Sequence, residues 1–215
     1  MKAHSGSTLH LGQTYREKVR THAETRLAAT TPEADPAGVS RTLRSFLKIE
    51  DQRLKMAHYR GAPGRETAAA RSFVLDIAVA HAFNHAAQVI RSNTIVNGAQ
   101  PGCALLAVGG YGRGELAPYS DLDLLFLYSG QQLGQMRPVL TNLLQLLWDA
   151  GLAVGHSFRT VGDCVTTALD DPHLRTALVN TRLLVGNKGL HNSLQEALEK
   201  DRRRRVNSFL SAIGN

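Results

Sequence analysis

The sequence predicts an α/β (α+β) fold: a small mixed sheet with flanking helices and an N-terminal helical segment. Three observations predict it. Apolar residues recur at helical spacing through long stretches between Ser40 and Arg91. Two short apolar runs, Ala104–Val108 and Leu122–Leu127, bracket a glycine-rich turn. A third segment, Leu152 to Arg159, alternates apolar with small or polar residues, the period of a strand. At 215 residues the chain can form one substantial core, or a small domain with helical attachments.

Residues 1–40 are polar and rich in Thr, Ala, Pro and Gly, and Thr31-Pro32 and Asp35-Pro36 interrupt any helix. Two readings stand for this stretch: a helix from about Tyr15 to Ala29, or a flexible arm. From Ser40 to Arg60, Leu43, Phe46, Leu47, Ile49, Leu54 and Met56 fall at helical spacing, and Gly61-Ala62-Pro63-Gly64 ends the segment. An Ala-rich helix follows from Glu66 to about Arg91, with Phe73, Leu75, Ile77, Val79, Phe83 and Val89 as burial candidates. Residues 93–102 form a loop, with Asn97-Gly98 and Pro101-Gly102 as turn signals. The expected division is an arm over 1–40, a helical segment over 41–92 and a core over 93–215.

Within that core the strand–turn–strand unit comes first. A helix over 135–150 places Leu140, Leu143, Leu144, Leu147 and Trp148 on one face, and Gly151 stops it. The strand ending at Arg159 is followed by helices expected over 162–169 and 172–184, the second opened by Asp171-Pro172. Gly186-Asn187 breaks it, and a last helix starts near Leu190.

The formal charge is +7, but part of the excess sits in Arg202-Arg203-Arg204-Arg205, a block that reads as a solvated helix face or a tail. The remaining basic residues are scattered among acids without aromatic interleaving, so nucleic acid is not the expected partner. No apolar run reaches membrane-spanning length, and the first residues lack the apolar core of a signal peptide, so no membrane association and a cytoplasmic location are expected. Two cysteines, Cys103 and Cys164, are too few for a disulfide framework or a cysteine zinc site.

The chemistry concentrates in Gly109-Gly110-Tyr111-Gly112-Arg113-Gly114-Glu115 and Ser120-Asp121-Leu122-Asp123-Leu124-Leu125-Phe126. Residues two apart on a strand share a face, so Asp121 and Asp123 can hold one metal. The turn before them is not a Walker A loop, because no Gly-Lys-Ser/Thr follows. It is not the dinucleotide fingerprint either, since Glu115 stands where the last glycine belongs and Pro118 would disrupt a long helix. Strand, phosphate-sized turn and paired carboxylates suit transfer of a nucleotidyl group from a triphosphate. Hard divalent cations choose carboxylate oxygens, which makes magnesium the expected ion at Asp121 and Asp123. Gly109 and Gly110 allow backbone amides to approach phosphates, and Ser120 can hydrogen-bond one. Arg113 has two readings, a phosphate counter-charge or a partner of Glu115.

These two stretches, with Leu116 and Pro118 between them, resemble the signature of the polymerase-beta-like nucleotidyltransferase superfamily. Two further segments sharpen the likeness: Trp148-Asp149 with Gly151-Leu152, Val154-Gly155-His156-Ser157 and Arg159-Thr160, and Asn180-Thr181-Arg182-Leu183-Leu184-Val185-Gly186. Together they resemble the bifunctional uridylyltransferase/uridylyl-removing enzymes of nitrogen regulation, over roughly residues 40–200. The resemblance implies the nucleotidyltransferase fold and a magnesium-dependent transfer of UMP from UTP to a tyrosine of the signalling protein PII. Adenylyl transfer by a relative of the same superfamily is the alternative, and an inactive domain that only binds nucleotide or partner is another.

Many superfamily members add a third carboxylate from a later strand. The corresponding stretch offers Gly155, His156 and Ser157 but no acid; Asp149 and Asp163 flank it. His156 reads either as a group near the metal or as a structural histidine. Glu115 reads as a helix-start carboxylate, Tyr111 as a packing residue, and Gly112 and Gly114 as backbone geometry or substrate contact. The family's hydrolase domain needs a His-Asp dipeptide, and none of the nine histidines precedes an aspartate. The chain is therefore expected to match the transferase portion alone, ending within it, with weak or absent transfer by itself.

Overall fold

The computed structural model describes residues 11–28, 30, 35–93, 102–129 and 133–213; the Asn97-Gly98 turn lies outside them. Three helices come first: α1 (Gln13–Leu27), α2 (Pro36–Tyr59) and α3 (Gly64–Asn93). Pro36 opens α2 where its missing N–H and fixed φ cost nothing. Val39, Leu43, Phe46, Leu54 and Ala57 then put one stripe of α2 in the core. On α3 the buried residues Ala70, Val74, Ala78, Ala82 and Ala86 repeat every fourth position, and small side chains let the neighbouring helices come close. Val19, Ala23 and Leu27 bury α1 in the same cluster.

The sheet holds β1 (Cys103–Ala107), β2 (Leu122–Tyr128), β3 (Val154–Arg159) and β4 (Arg182–Gly186), in the order β3-β2-β1-β4. It is mixed: β1 runs antiparallel to β2 and β4, whereas β2 and β3 are parallel. The helix α5 (Leu133–Asp149) makes the crossover that a parallel pair requires. Alternation along β2 divides the core. Leu122, Leu124 and Phe126 join α2, α3 and α5 on one face. Leu125 and Leu127 join α6 (Val161–Asp170), α7 (Pro172–Val179) and α8 (Lys188–Ile213) on the other. Each fully buried leucine contributes about 1.5–3 kcal/mol. Cys103 and Cys164 are buried free thiols, Cys103 pushed up to about 12 by burial.

Three expectations need correction. The helix expected over 172–184 is two elements: α7 ends at Val179, and Arg182–Gly186 forms the edge strand β4. Asn180, at φ −119 and ψ 85, leaves the helical region, and Leu183-Leu184-Val185 is an apolar run too short for its period to separate helix from strand. Trp148 is 47 % exposed, lying at the end of α5 where its ring meets His156 edge-on. Glu115 starts no helix. The helical turn α4 (Gly109–Gly112) precedes it, and Glu115 instead pairs with Arg65 and Arg113.

The arginine block on α8 is a solvated face, as its composition suggested. Arg202 and Arg203 pair with Glu199, and Arg204 and Arg205 with Asp201. Hydrogen bonds from Arg202 and Arg203 hold the Glu199 carboxyl down to about 2.

Candidate active site

The glycine turn sits where β1 leaves the sheet and β2 enters it. Val108 donates its N–H to the Asp123 carbonyl at 3.1 Å, which fixes the two strand ends together. Gly109 has φ +60, a region that L side chains rarely adopt. A side chain there would also approach Asp123, since an ideal Cβ would lie 3.8 Å from its Oδ2. A Cβ on Gly110 would lie 3.7 Å from Arg113 Nη2. The turn thus carries a carboxylate beside its first glycine and a guanidinium beside its second.

Gly155, opposite Asp123 in the parallel register, completes the frame. Its missing Cβ leaves room for the carboxylate, because a Cβ would stand 2.8 Å from Asp123 Oδ1. No acid on β3 therefore shares Asp123's immediate neighbourhood. Asp163 closes a capping box with Thr160 at the start of α6, and the Asp149 carboxylate accepts from Gln145. His156 lies on the opposite face of β3 from Gly155 and touches Trp148 and Phe158. Among the described residues, no group of three or more His, Cys, Asp or Glu side chains could hold a metal.

Asp121 and Asp123 are brought together as a like-charged pair. Partial burial, then the nearby Asp121 charge, raises the Asp123 carboxyl above the ordinary carboxylate value. Both carboxylates are exposed, and Ser120 is exposed beside them in the loop. Arg113 meets Glu115 at 3.4 Å while remaining 47 % exposed. An ion pair that open to water contributes little, so Arg113 can exchange it for an anionic ligand.

The residue that sequence reasoning missed is Arg182. From the first position of β4 its guanidinium grips Asp76 on α3 at 2.5 and 3.1 Å. It also donates to the Tyr111 carbonyl at 3.0 Å and the Gly112 carbonyl at 3.4 Å, and it stacks over the Tyr111 ring. Beneath it, Gly112 packs so tightly that a Cβ would overlap the Asn180 carbonyl oxygen. The α7–β4 connection is therefore the back wall of the glycine turn. The Asn180–Gly186 run carried a family likeness in the sequence, but a lone arginine gave no sign of its partner 106 residues away.

The family model for glutamate-ammonia ligase adenylyltransferase (GlnE) matches residues 5–140, which include the turn and both carboxylates. Three curated relatives are named bifunctional uridylyltransferase/uridylyl-removing enzyme. The protein of Cupriavidus metallidurans is 49 % identical over 98 residues, 46 % of this chain and 11 % of the relative. That of Phenylobacterium zucineum is 39 % identical over 142 residues, 66 % of this chain and 15 % of the relative. That of Ruegeria pomeroyi is 47 % identical over 98 residues, 46 % of this chain and 11 % of the relative. The chain thus spans a small fraction of the length of the relatives it matches. No described helix is long and apolar enough to cross a membrane. With the mixed sheet, the glycine turn and the carboxylate pair in place, the chain belongs to the glutamate-ammonia ligase adenylyltransferase family, as a nucleotidyltransferase domain.

Proposed function

We propose that the chain transfers UMP from UTP to a tyrosine of the signalling protein PII, with magnesium, releasing pyrophosphate. The observation that carries this reading is the like-charged Asp121–Asp123 pair set against a glycine turn. The names of the relatives support a uridylyl group as the one transferred, and the PII acceptor follows from the motif resemblance.

The donor set fits magnesium. Two carboxylates supply hard oxygens, and a small divalent cation that keeps several waters needs only one or two of them plus substrate phosphates. Partial burial and mutual repulsion make Asp123 costly to ionise, a cost that a cation offsets. Bound there, the ion would neutralise phosphate charge and orient the triphosphate.

The chain's own residues do the positioning. Asp121 and Asp123 hold the metal and act as the catalytic pair. Gly109 and Gly110 bring backbone to the triphosphate with no side chain between, while Arg113 offsets charge on the phosphates and Ser120 hydrogen-bonds an oxygen. The phenolic oxygen of the acceptor forms a bond to the α-phosphorus as the bridge to the β-phosphate breaks. Pyrophosphate leaves and the phenolic proton passes to solvent. Positioning and charge neutralisation supply most of the catalysis in such reactions.

The test is labelling of purified PII with α-labelled UTP, by this chain and its Asp121→Ala and Asp123→Ala variants, with and without magnesium. Transfer that requires magnesium and disappears in both variants supports the reading; equal transfer by the variants refutes it. A second reading is favoured by the family description itself, which names an adenylyltransferase of glutamate-ammonia ligase. ATP with glutamate-ammonia ligase as acceptor, run in parallel, decides between the two.

A further inference from the structure

A cationic groove flanks the catalytic loop on its helical side. Arg44, Lys48, Asp51 and Lys55 follow one another at spacings of four, three and four, which lines them along a single face of α2. Arg71 on α3 and Tyr119 on the loop line the same cavity of about 350 Å³, together with apolar residues that include Leu47, Leu54, Val74 and Leu75. Asp51 is taken by its neighbours, with Lys55 Nζ at 2.8 Å and Arg71 Nη1 at 3.0 Å. Four cations thus face one carboxylate, and Arg44, Lys48 and Lys55 are exposed. Arg44 donates to the Asp149 carbonyl, which fixes the far end of the groove to the α5–β3 turn. The Asp149 carboxylate is turned away to Gln145.

The loop wall has its own signature. Tyr119 is 89 % exposed and holds φ +68, a backbone conformation that a bulky L residue adopts only when its surroundings impose it. It stands two residues before Asp121, so the wall of the groove and the carboxylate pair are separated by at most about 7 Å of chain.

We propose that this groove is the docking surface for an acidic, extended segment of the protein acceptor, laid along α2 and led over the Pro118–Ser120 loop to the carboxylate pair. The proposal rests on the nucleotidyl-transfer reading and names the chemistry by which the acceptor would be recognised. Peptide carboxylates fit better than a nucleic-acid backbone. Asp51 sits midway along the stripe, where a continuous run of phosphates would meet it, and Tyr119 is the one aromatic side chain lining the groove, whereas single-strand binders stack successive bases on several. Short carboxylate side chains at intervals can pair with Lys48, Lys55 and Arg44 and pass over Asp51. Rim charges of this kind steer encounter and set register more than they add affinity.

The test is fluorescence anisotropy of the full 215-residue chain with a labelled pentapeptide, one tyrosine flanked by two glutamates on each side. A peptide with glutamines in place of the glutamates and a labelled oligothymidylate are the comparisons. The Lys48→Glu/Lys55→Glu variant changes two exposed positions, and its circular dichroism reports that it folds. The expected result is binding of the acidic peptide that weakens roughly 10-fold or more in the double variant, or on raising salt from 50 to 500 mM. Binding of UTP, followed separately, is expected to be the same in parent and variant. Equal binding of acidic and glutamine peptides overturns the proposal, as does an unchanged acidic peptide affinity in the variant. Preferential oligothymidylate binding that the variant loses overturns it in favour of nucleic acid. Loss of UTP binding in the parent with the peptide result intact removes the transferase reading and leaves the groove standing.

Discussion

Glu50 and Asp123 are both carboxylates, one buried and the other exposed near the start of β2, and the fold treats them in opposite ways. Glu50, between α1 and α2, has no exposed surface and three partners. Tyr15 donates from 3.2 Å, His22 Nδ1 lies at 2.5 Å and Arg53 Nη1 at 2.6 Å. Asp123 has a second carboxylate beside it and two glycines that keep side chains away from its oxygens. Among the described residues none of the ion pairs engages it. A buried charge that is fully partnered belongs to the architecture, here docking α1 onto α2. On the proposed function, one left in repulsion with its lone pairs open would take a cation from outside the chain.

Neutralising each carboxylate should separate those roles most strongly. Asp123→Asn is expected to lower nucleotidyl transfer about 1,000-fold or more while leaving thermal stability equal or higher, because it removes a repulsion. Glu50→Gln is expected to do the reverse. Losing its charge weakens the Arg53 ion pair and the other two hydrogen bonds and costs about 2–3 kcal/mol in a denaturant melt, with transfer per folded molecule near the parent value. Parallel loss of both properties in either variant would collapse the distinction.

Arg182 tests whether the turn needs its back wall. Arg182→Ala leaves Asp76 without its bidentate partner and frees the Tyr111 and Gly112 carbonyls. We expect kcat to fall about 10- to 100-fold with a smaller change in KM for UTP, since the turn is misplaced and not removed. Arg182→Lys should recover only part of the rate, because an ammonium cannot reproduce the fork. A kcat equal to the parent's in Arg182→Ala would make the arginine purely structural.

Gly155→Ala comes next. Its new Cβ would meet the flexible end of Asp123, at 2.8 Å from Oδ1, so the carboxylate is expected to swing aside. Metal affinity should fall about 10-fold while the melting temperature moves by a few degrees at most. Gly112→Ala is the contrasting case, since its Cβ meets the backbone of Asn180 and Ala107. That clash is expected to cost about 3 kcal/mol of stability.

The smallest effect is on pH dependence. The Asp123 value is raised in the folded state, so its protonated form is the one the fold prefers. It contributes stability fully below the unfolded carboxylate value, near pH 4, and loses that contribution as pH rises through the raised folded value. In metal-free buffer, the melting temperature of the parent relative to Asp123→Asn should therefore decline across this interval. Magnesium should reverse the decline, and a parent curve that rises relative to the variant would give Asp123 the sign of a satisfied carboxylate.

Much of this was legible in the sequence because each signal was local. The glycine turn and the Asp-x-Asp strand lie within fifteen residues, and the apolar stripes of α2, α3 and α5 follow the helical period. What was not legible depends on contacts between distant segments. Strand β4 hides in an apolar run of ambiguous period and becomes a strand only by pairing with β1. Trp148 is exposed one residue before α5 ends at Asp149, although Leu144 and Leu147 before it and Ala150 after it are buried. The grip of Arg182 on Asp76 and the closeness of Gly112 to Asn180 arise only once α3, α4 and β4 meet. Glu115 differs for a simpler reason: a carboxylate after a glycine turn fits the start of a following helix, whereas the single helical turn precedes it.

The most direct test of the central claim is UTP binding measured as a function of magnesium, in the parent and in an Asp121→Asn/Asp123→Asn variant matched for thermal stability. The parent is expected to bind UTP only as magnesium is added, and the variant to show no magnesium-dependent component. Identical magnesium dependence in the two proteins would contradict it, and would place the cation, and with it the chemistry, away from this pair.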